Sequence, residues 1–136
     1  MVKAVAIGKE IVVTTANKVG IMAHITRMLA DHGINIEGVA GYAQDTVAKL
    51  MFVVDDTLRA KEAIIKAGYK DTRESEVVIL DLENKPGALK GATSMLASEK
   101  IDITYIYGTA CPEGCPARII MKTSENEKTV VTLSAK

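Results

Sequence analysis

The stretch Asn84-Lys85-Pro86-Gly87-Ala88-Leu89 holds the residue types most suited to chemistry in this 136-residue chain. A partial copy, Asn17-Lys18-Val19-Gly20-Ile21-Met22, stands 67 positions earlier. In both places an apolar run precedes the turn and an amphipathic helical pattern follows it. Pro at a first helical position needs no backbone donor, and its ring already holds a helical φ. The Gly beside it removes a side chain where the first N–H groups of a helix emerge without partners. A bare helix start with free donors and a favourable dipole suits an anion, and a small carboxylate in particular. One copy alone reads more readily as punctuation between a strand and a helix. Two copies in register favour a site.

Other groups offer less. Cys111-Pro112-Glu113-Gly114-Cys115-Pro116 occupies a turn of the second half and has no counterpart in the first. Three readings stand for it: a Pro-Gly turn with incidental thiols, a redox-sensitive disulfide loop, or half of a zinc site shared between subunits. A complete tetrahedral site within the chain would need His24 and His32, which lie in the other half. No metal is therefore expected. His24 lies near the polar side of its helix beside Arg27, and His32 in a last helical turn, where a cation suits the dipole. Asp55-Asp56 fits a helix cap better than a paired acid and base, because no nucleophile clusters with it. No phosphate-cradling glycine motif and no nucleophile–His–acid set is present. The chain is not expected to be an enzyme or to hold a cofactor.

Composition bounds the elements that must position these residues. Hydrophobic residues make up 48% and charged residues 25%, a globular balance that excludes disorder. With no Trp, one Phe and four Tyr, the core must be aliphatic, built from Val, Ile, Leu, Ala and Met. The formal net charge is zero, which argues against a nucleic-acid footprint, and the scarcity of aromatics removes base-stacking platforms. No segment approaches the ~18 apolar residues that span a bilayer. Residues 1–7 are too short an apolar run for a signal peptide. With two cysteines and no export signal, the expected compartment is a reducing cytoplasm.

In order, residues 2–7 read as a short strand and residues 10–15 as a second one, rich in β-branched types. A helix follows to about His32 with Met22, Ile25 and Leu29 on one face, and Gly33 ends it. Residues 34–39 are extended, Gly41 to Asp45 is a turn, and residues 49–54 return as a hairpin strand. Asp55, Asp56 or Thr57 caps a second helix that stops at Gly68. Residues 69–76 are an edge strand or linker. Then the pattern restarts: residues 77–82 form a strand, and Leu89, Ala92 and Leu96 repeat the helix face. Ile34-Asn35-Ile36 recurs as Ile101-Asp102-Ile103, and Gly41 as Gly108, without a gap. Ser124 with Glu127 makes a capping box for a last helix.

Each copy thus runs strand, helix, strand, strand, helix. With one more strand, that is the ferredoxin-like βαββαβ arrangement: an α+β fold whose antiparallel sheet carries its helices on one face. The expected domains are residues 9–76 and 77–136. The second copy lacks a last strand of its own, and residues 1–8 are expected to supply it.

On the duplicated Asn-Lys-(Val/Pro)-Gly turn, the helix after it and the Gly33-Ile34-Asn35-Ile36 ending, the chain resembles the ACT domain family. More narrowly, it is similar to small stand-alone proteins made of two ACT domains in tandem. The resemblance implies a regulatory module that binds an amino acid or other small metabolite at an interface between such domains. Carried over to matching positions, it implies ligand contacts from Asn17, Val19, Gly20 and Ile21 and from Asn84, Pro86, Gly87, Ala88 and Leu89. Asn35, Ile36, Asp102 and Ile103 are implied to face them. Backbone N–H groups would take a ligand carboxylate, and an oxygen such as that of Asp102 its ammonium. Val19 replaces the usual Pro in the first copy, and Lys100 replaces a common Gly in the second. The second copy is the favoured ligand loop because it retains Pro86-Gly87 at the helix start. A homodimer and a possible partner enzyme are also implied. From a different class comes an assembly subunit that docks on an enzyme and binds no metabolite.

Overall fold

The computed structural model describes residues 2–109 and 114–134. The elements run β1 (Val2–Ala16), α1 (Ile21–Asp31), β2 (Ile36–Gln44), β3 (Val47–Val54), α2 (Thr57–Lys66), β4 (Thr72–Leu82), α3 (Ala88–Ser98), β5 (Ile103–Thr109), β6 (Ala117–Thr123) and α4 (Asn126–Ser134). They form two compact units, Lys9–Ser75 and Met1–Gly8 together with Glu76–Lys136.

In the first unit the strands lie in the order β2-β3-β1-β4. β3 pairs antiparallel with both neighbours, so that Phe52 faces Ile11 on one side and Val39 on the other. The β-branched run of β1 alternates across the sheet, which places Ile11 and Val13 on the inner face. They join Leu50, Phe52 and Val54 of β3, Ile25 and Leu29 of α1, and Ala60 and Ile64 of α2 in one core cluster. Fully burying an Ile, Leu or Phe contributes about 1.5–3 kcal/mol each, and that gain holds the helices on this face. Asp56 caps α2 by accepting the Arg59 N–H at 3.2 Å. α2 then ends in a Schellman turn, with Gly68 N–H donating to Ile65 O and Tyr69 N–H to Ile64 O.

The second unit has the order β5-β6-β4-β1. Its core joins Val78, Leu80, Leu82, Leu96, Met121 and Leu133, and Val2 and Val5 of β1 pack against it. The strand beside β4 in this unit is therefore the start of the chain.

The duplication is visible in fine detail. Val78 faces Met121 as Ile11 faces Phe52, so Met121 stands where the first unit has its Phe. A register irregularity between Ile36 and Gly38 recurs between Ile103 and Tyr105. Both first helices end in Schellman turns that bury the next residue: Ile34 N–H bonds Leu29 O, and Ile101 N–H bonds Leu96 O, each at 2.9 Å. Gly41 faces Leu50 while Gly108 faces Ile119, so the hairpin of the second unit is two residues longer.

Several local expectations are corrected. Residues 2–7 and 10–15 belong to one strand: Gly8 makes no turn, and a Cβ there would come within 2.4 Å of Ile79 Cδ1. A side chain at that position would need the tip of Ile79 to move aside. Residues 69–76 and 77–82 likewise share one strand, Thr72–Leu82. Gly41 does not turn the chain, because β2 continues to Gln44 and the reversal is made by Asp45 and Thr46. The Ser124–Glu127 capping box is replaced by a tertiary contact, in which Ser124 Oγ accepts the Asp102 N–H at 3.0 Å. On α3 the buried face is Ala88, Ala92 and Leu96, and Leu89 is exposed.

Candidate functional site

Both copies of the turn place a glycine in the left-handed region just before a helix. Gly20 has φ 91° and ψ 0°, and Gly87 has φ 88° and ψ −11°; neither helix has a side-chain cap there. Ala88 N–H donates to Lys85 O at 3.2 Å, which closes residues 85–88 as a type II turn with Pro86 and Gly87 at its centre. Pro86 therefore precedes the cap and is not the first helical residue. It fixes the turn, and Gly87 supplies the positive φ that a type II turn demands. The helices take over only at His24 N–H to Gly20 O and at Gly91 N–H to Gly87 O, both 2.9 Å. Helix geometry aims the N–H groups before them outward along the axis.

These starts are open. A Cβ built on Gly20 or Gly87 would meet nothing within 4 Å, and Asn17, Val19, Asn84 and Pro86 are all exposed. Ile21 is half-buried against the first core. Ala88 is buried and its N–H is spent in the turn, so it offers a ligand little, whereas Leu89 is accessible.

The second copy also borders a pocket of about 240 Å3 lined by Lys3, Glu83, Asn84, Lys85, Gly114, Cys115 and Pro116. Its wall is charged. Lys85 Nζ lies 3.0 Å from Glu83 Oε2, and the ammonium is the chief reason that the Glu83 carboxyl is pulled down to about 2. Lys3 and Glu83 had no signal in the turn motif. They reach the loop because the first strand of the chain lies beside β4.

Asn35 and Ile36, and Asp102 and Ile103, are not brought to the turn of their own copy. β2 begins at Ile36 opposite Val54, whereas β1 ends at Ala16 opposite Val47. Seven strand residues, roughly 23 Å, separate these ends of one sheet. The Asn35 and Asp102 backbones are also engaged. Asn35 N–H donates to Asp55 Oδ1 at 3.0 Å, and Asp55 N–H donates back to Asn35 O at 3.1 Å. Asp102 forms the same reciprocal pair with Ser124, at 3.0 and 2.8 Å. Asp55 and Asp56 are thus local structural partners.

His24 Nδ1 lies 2.6 Å from the Tyr69 hydroxyl, tying α1 to the end of α2. His32 Nδ1 lies 2.8 Å from Met28 O. Cys115 is disulfide-bonded. Of the three readings of this turn, that of incidental thiols does not hold for Cys115, and Cys111 lies outside the described residues. Among the described residues no group of three or more His, Cys, Asp or Glu is placed to hold a metal, and no helix is long and apolar enough to cross a membrane. A further pocket of about 390 Å3, absent from the sequence reading, opens at the β2–β3 hairpin among Thr14, Tyr42, Gln44, Asp45, Thr46, Val47 and Lys49.

Residues 11–70 match the model of the AHAS small subunit-like ACT domain. No curated protein matches the sequence. Among solved structures, protein BT0572 from Bacteroides thetaiotaomicron superposes with a TM-score of 0.88 at 24% identity, over 96% of this chain and 89% of that one. The ligand-free regulatory subunit of aspartate kinase from Thermus thermophilus does so with a TM-score of 0.69 at 17% identity, over 98% and 97%. A structure of aspartokinase alpha and beta subunits gives 0.68 at 16% identity, over 99% and 97%. At these identities the likeness is one of fold.

Proposed function

This chain carries an ACT domain over residues 11–70, and on that premise we propose that it is a non-catalytic regulatory protein that binds an amino acid between ACT-type domains. The observation that carries the reading is the pair of helices that begin at exposed, left-handed Gly20 and Gly87 with no side chain over their N–H groups. The ligand carboxylate sits at such a start, where helix donors and dipole favour it. Asn17 or Asn84 stands beside it. Because Asn35-Ile36 and Asp102-Ile103 lie at the far end of their own sheets, a second domain must present them to the ligand. A homodimer in the cytoplasm is the assembly that fits, and occupancy of the shared site stabilises one arrangement of it, which in turn acts on a partner enzyme.

Thermal denaturation against the protein amino acids tests this. One of them, at about 100 times its Kd, should add roughly 2.7 kcal/mol. Gly87→Ala should weaken that response, because the new Cβ lies over the helix start and the positive φ becomes strained by about 1–2 kcal/mol. Gly91→Ala, one turn later in the same helix and facing open space, should leave the response intact. No shift with any amino acid, joined to co-purification of an enzyme, would favour the assembly subunit that binds no metabolite.

A further inference from the structure

The hairpin end of the first unit holds a site that does not depend on the helix starts. Thr14 of β1 pairs with Lys49 of β3, and Lys49 with Tyr42 of β2, so the three stand in a row across the sheet. Their neighbours Val13 and Leu50 face the helices, so this row faces the other way. It floors the pocket of about 390 Å3, with Gln44, Asp45, Thr46 and Val47 around it. Lys49 is half-buried, and among the described residues its ammonium has no carboxylate partner.

The other repeat supplies the comparison. Matching Ile11–Phe52 to Val78–Met121 puts Asp81 where Thr14 stands and Arg118 where Lys49 stands. There the cation is satisfied within the chain: Arg118 Nε donates to Asp81 Oδ1 at 2.9 Å, and Nη2 to Oδ2 at 3.1 Å. An opposed pair of this kind on neighbouring strands is a stabilising, two-pronged charge-assisted contact. In the first unit the cation is kept, the carboxylate has become a threonine, and a pocket stands open over the pair.

We infer that this pocket binds a small free carboxylate, which occupies over Lys49 the place that the Asp81 side chain holds over Arg118. The Lys49 ammonium takes the carboxylate, and the hydroxyls of Thr14 and Tyr42 are further donors. Asp45 at the rim repels a second negative charge and accepts an ammonium, so monocarboxylates and α-amino acids fit better than dicarboxylates.

Isotope-labelled full-length protein titrated with propionate, L-alanine and succinate, and observed by two-dimensional NMR, tests it. Propionate and L-alanine should shift Lys49, Tyr42 and Thr46, and succinate should do so at higher concentration. Thr14→Asp rebuilds the ion pair of the other repeat and should weaken the binding of both monocarboxylates at least about tenfold, with melting temperature kept or raised. Thr14→Asn, of the same size without the charge, should stay within about threefold of wild type. Equal binding by Thr14→Asp and wild type would overturn the assignment. So would shifts confined to residues 17–21 and 84–89, an outcome that leaves the helix-start reading standing.

Discussion

Among the described residues of the second repeat, Lys100 is the non-glycine residue with a positive φ. It holds a φ of 58°, at the position where the first repeat has Gly33 at 69°. Both residues close a Schellman turn, and Lys100 N–H bonds Ala97 O at 3.0 Å as Gly33 N–H bonds Ala30 O at 2.9 Å. A side chain in the left-handed region costs about 1–2 kcal/mol that glycine does not incur. Lys100→Gly should therefore stabilise the protein by about 1 kcal/mol, read as a higher denaturant midpoint at an unchanged slope. A lower midpoint would mean that the lysine side chain contributes more than its backbone loses. The glycines at the candidate site obey the same rule, since the type II turn asks for positive φ at Gly87 whether or not anything binds.

Among the elements, the hairpins separate the repeats most. Gly41 and Gly108 occupy matching strand positions but differ in how much room they have. A Cβ on Gly41 would sit 3.0 Å from Leu50 Cδ2, the mobile tip of a side chain. On Gly108 it would sit 2.7 Å from the Arg118 carbonyl oxygen, which is backbone and cannot step aside. Gly108→Ala should cost about 1–3 kcal/mol, and Gly41→Ala clearly less, in parallel chemical denaturations. Equal costs would show that the β5–β6 hairpin relaxes as easily as β2–β3. The longer hairpin of the second unit also carries Cys115 to the edge of the Asn84–Lys85 pocket, a neighbour that the shorter hairpin of the first unit does not provide.

For the whole molecule, the central feature is that strand β1 serves two units. Its residues up to Gly8 group with Glu76–Lys136, and its remainder belongs to Lys9–Ser75. Val2 and Val5 pack against the core cluster that includes Val78 and Leu80, so we propose that this segment is the closing strand of the second domain. Removing residues 1–8 should destabilise that domain by about 2 kcal/mol or more, from the apolar contacts and the sheet edge lost. Hydrogen exchange would show faster opening of β6 and α3 with α1 and β3 unchanged. Uniform protection in the truncated protein would mean that the segment contributes nothing to that core.

The sequence by itself determined the duplication, the α+β order of elements and the inward face of α1, because spacing of apolar residues and glycine punctuation are local properties that the chain cannot hide. Ile25, Leu29 and Ile34 are core residues for that reason, whereas the buried Phe52 departs from the wholly aliphatic core that the composition implied. It also located the two turns, although the role of Pro86 came out as turn former and not as helix start. What tertiary structure alone decided is which distant residues meet. The merging of the strands around Gly8 rests on the place of β1 beside β4, and the distance between Gly20 and Asn35 on the length of β3. The contrast between Thr14–Lys49 and Asp81–Arg118 rests on strand register. Register is set by pairings between segments far apart in the chain, and no local pattern carries that information.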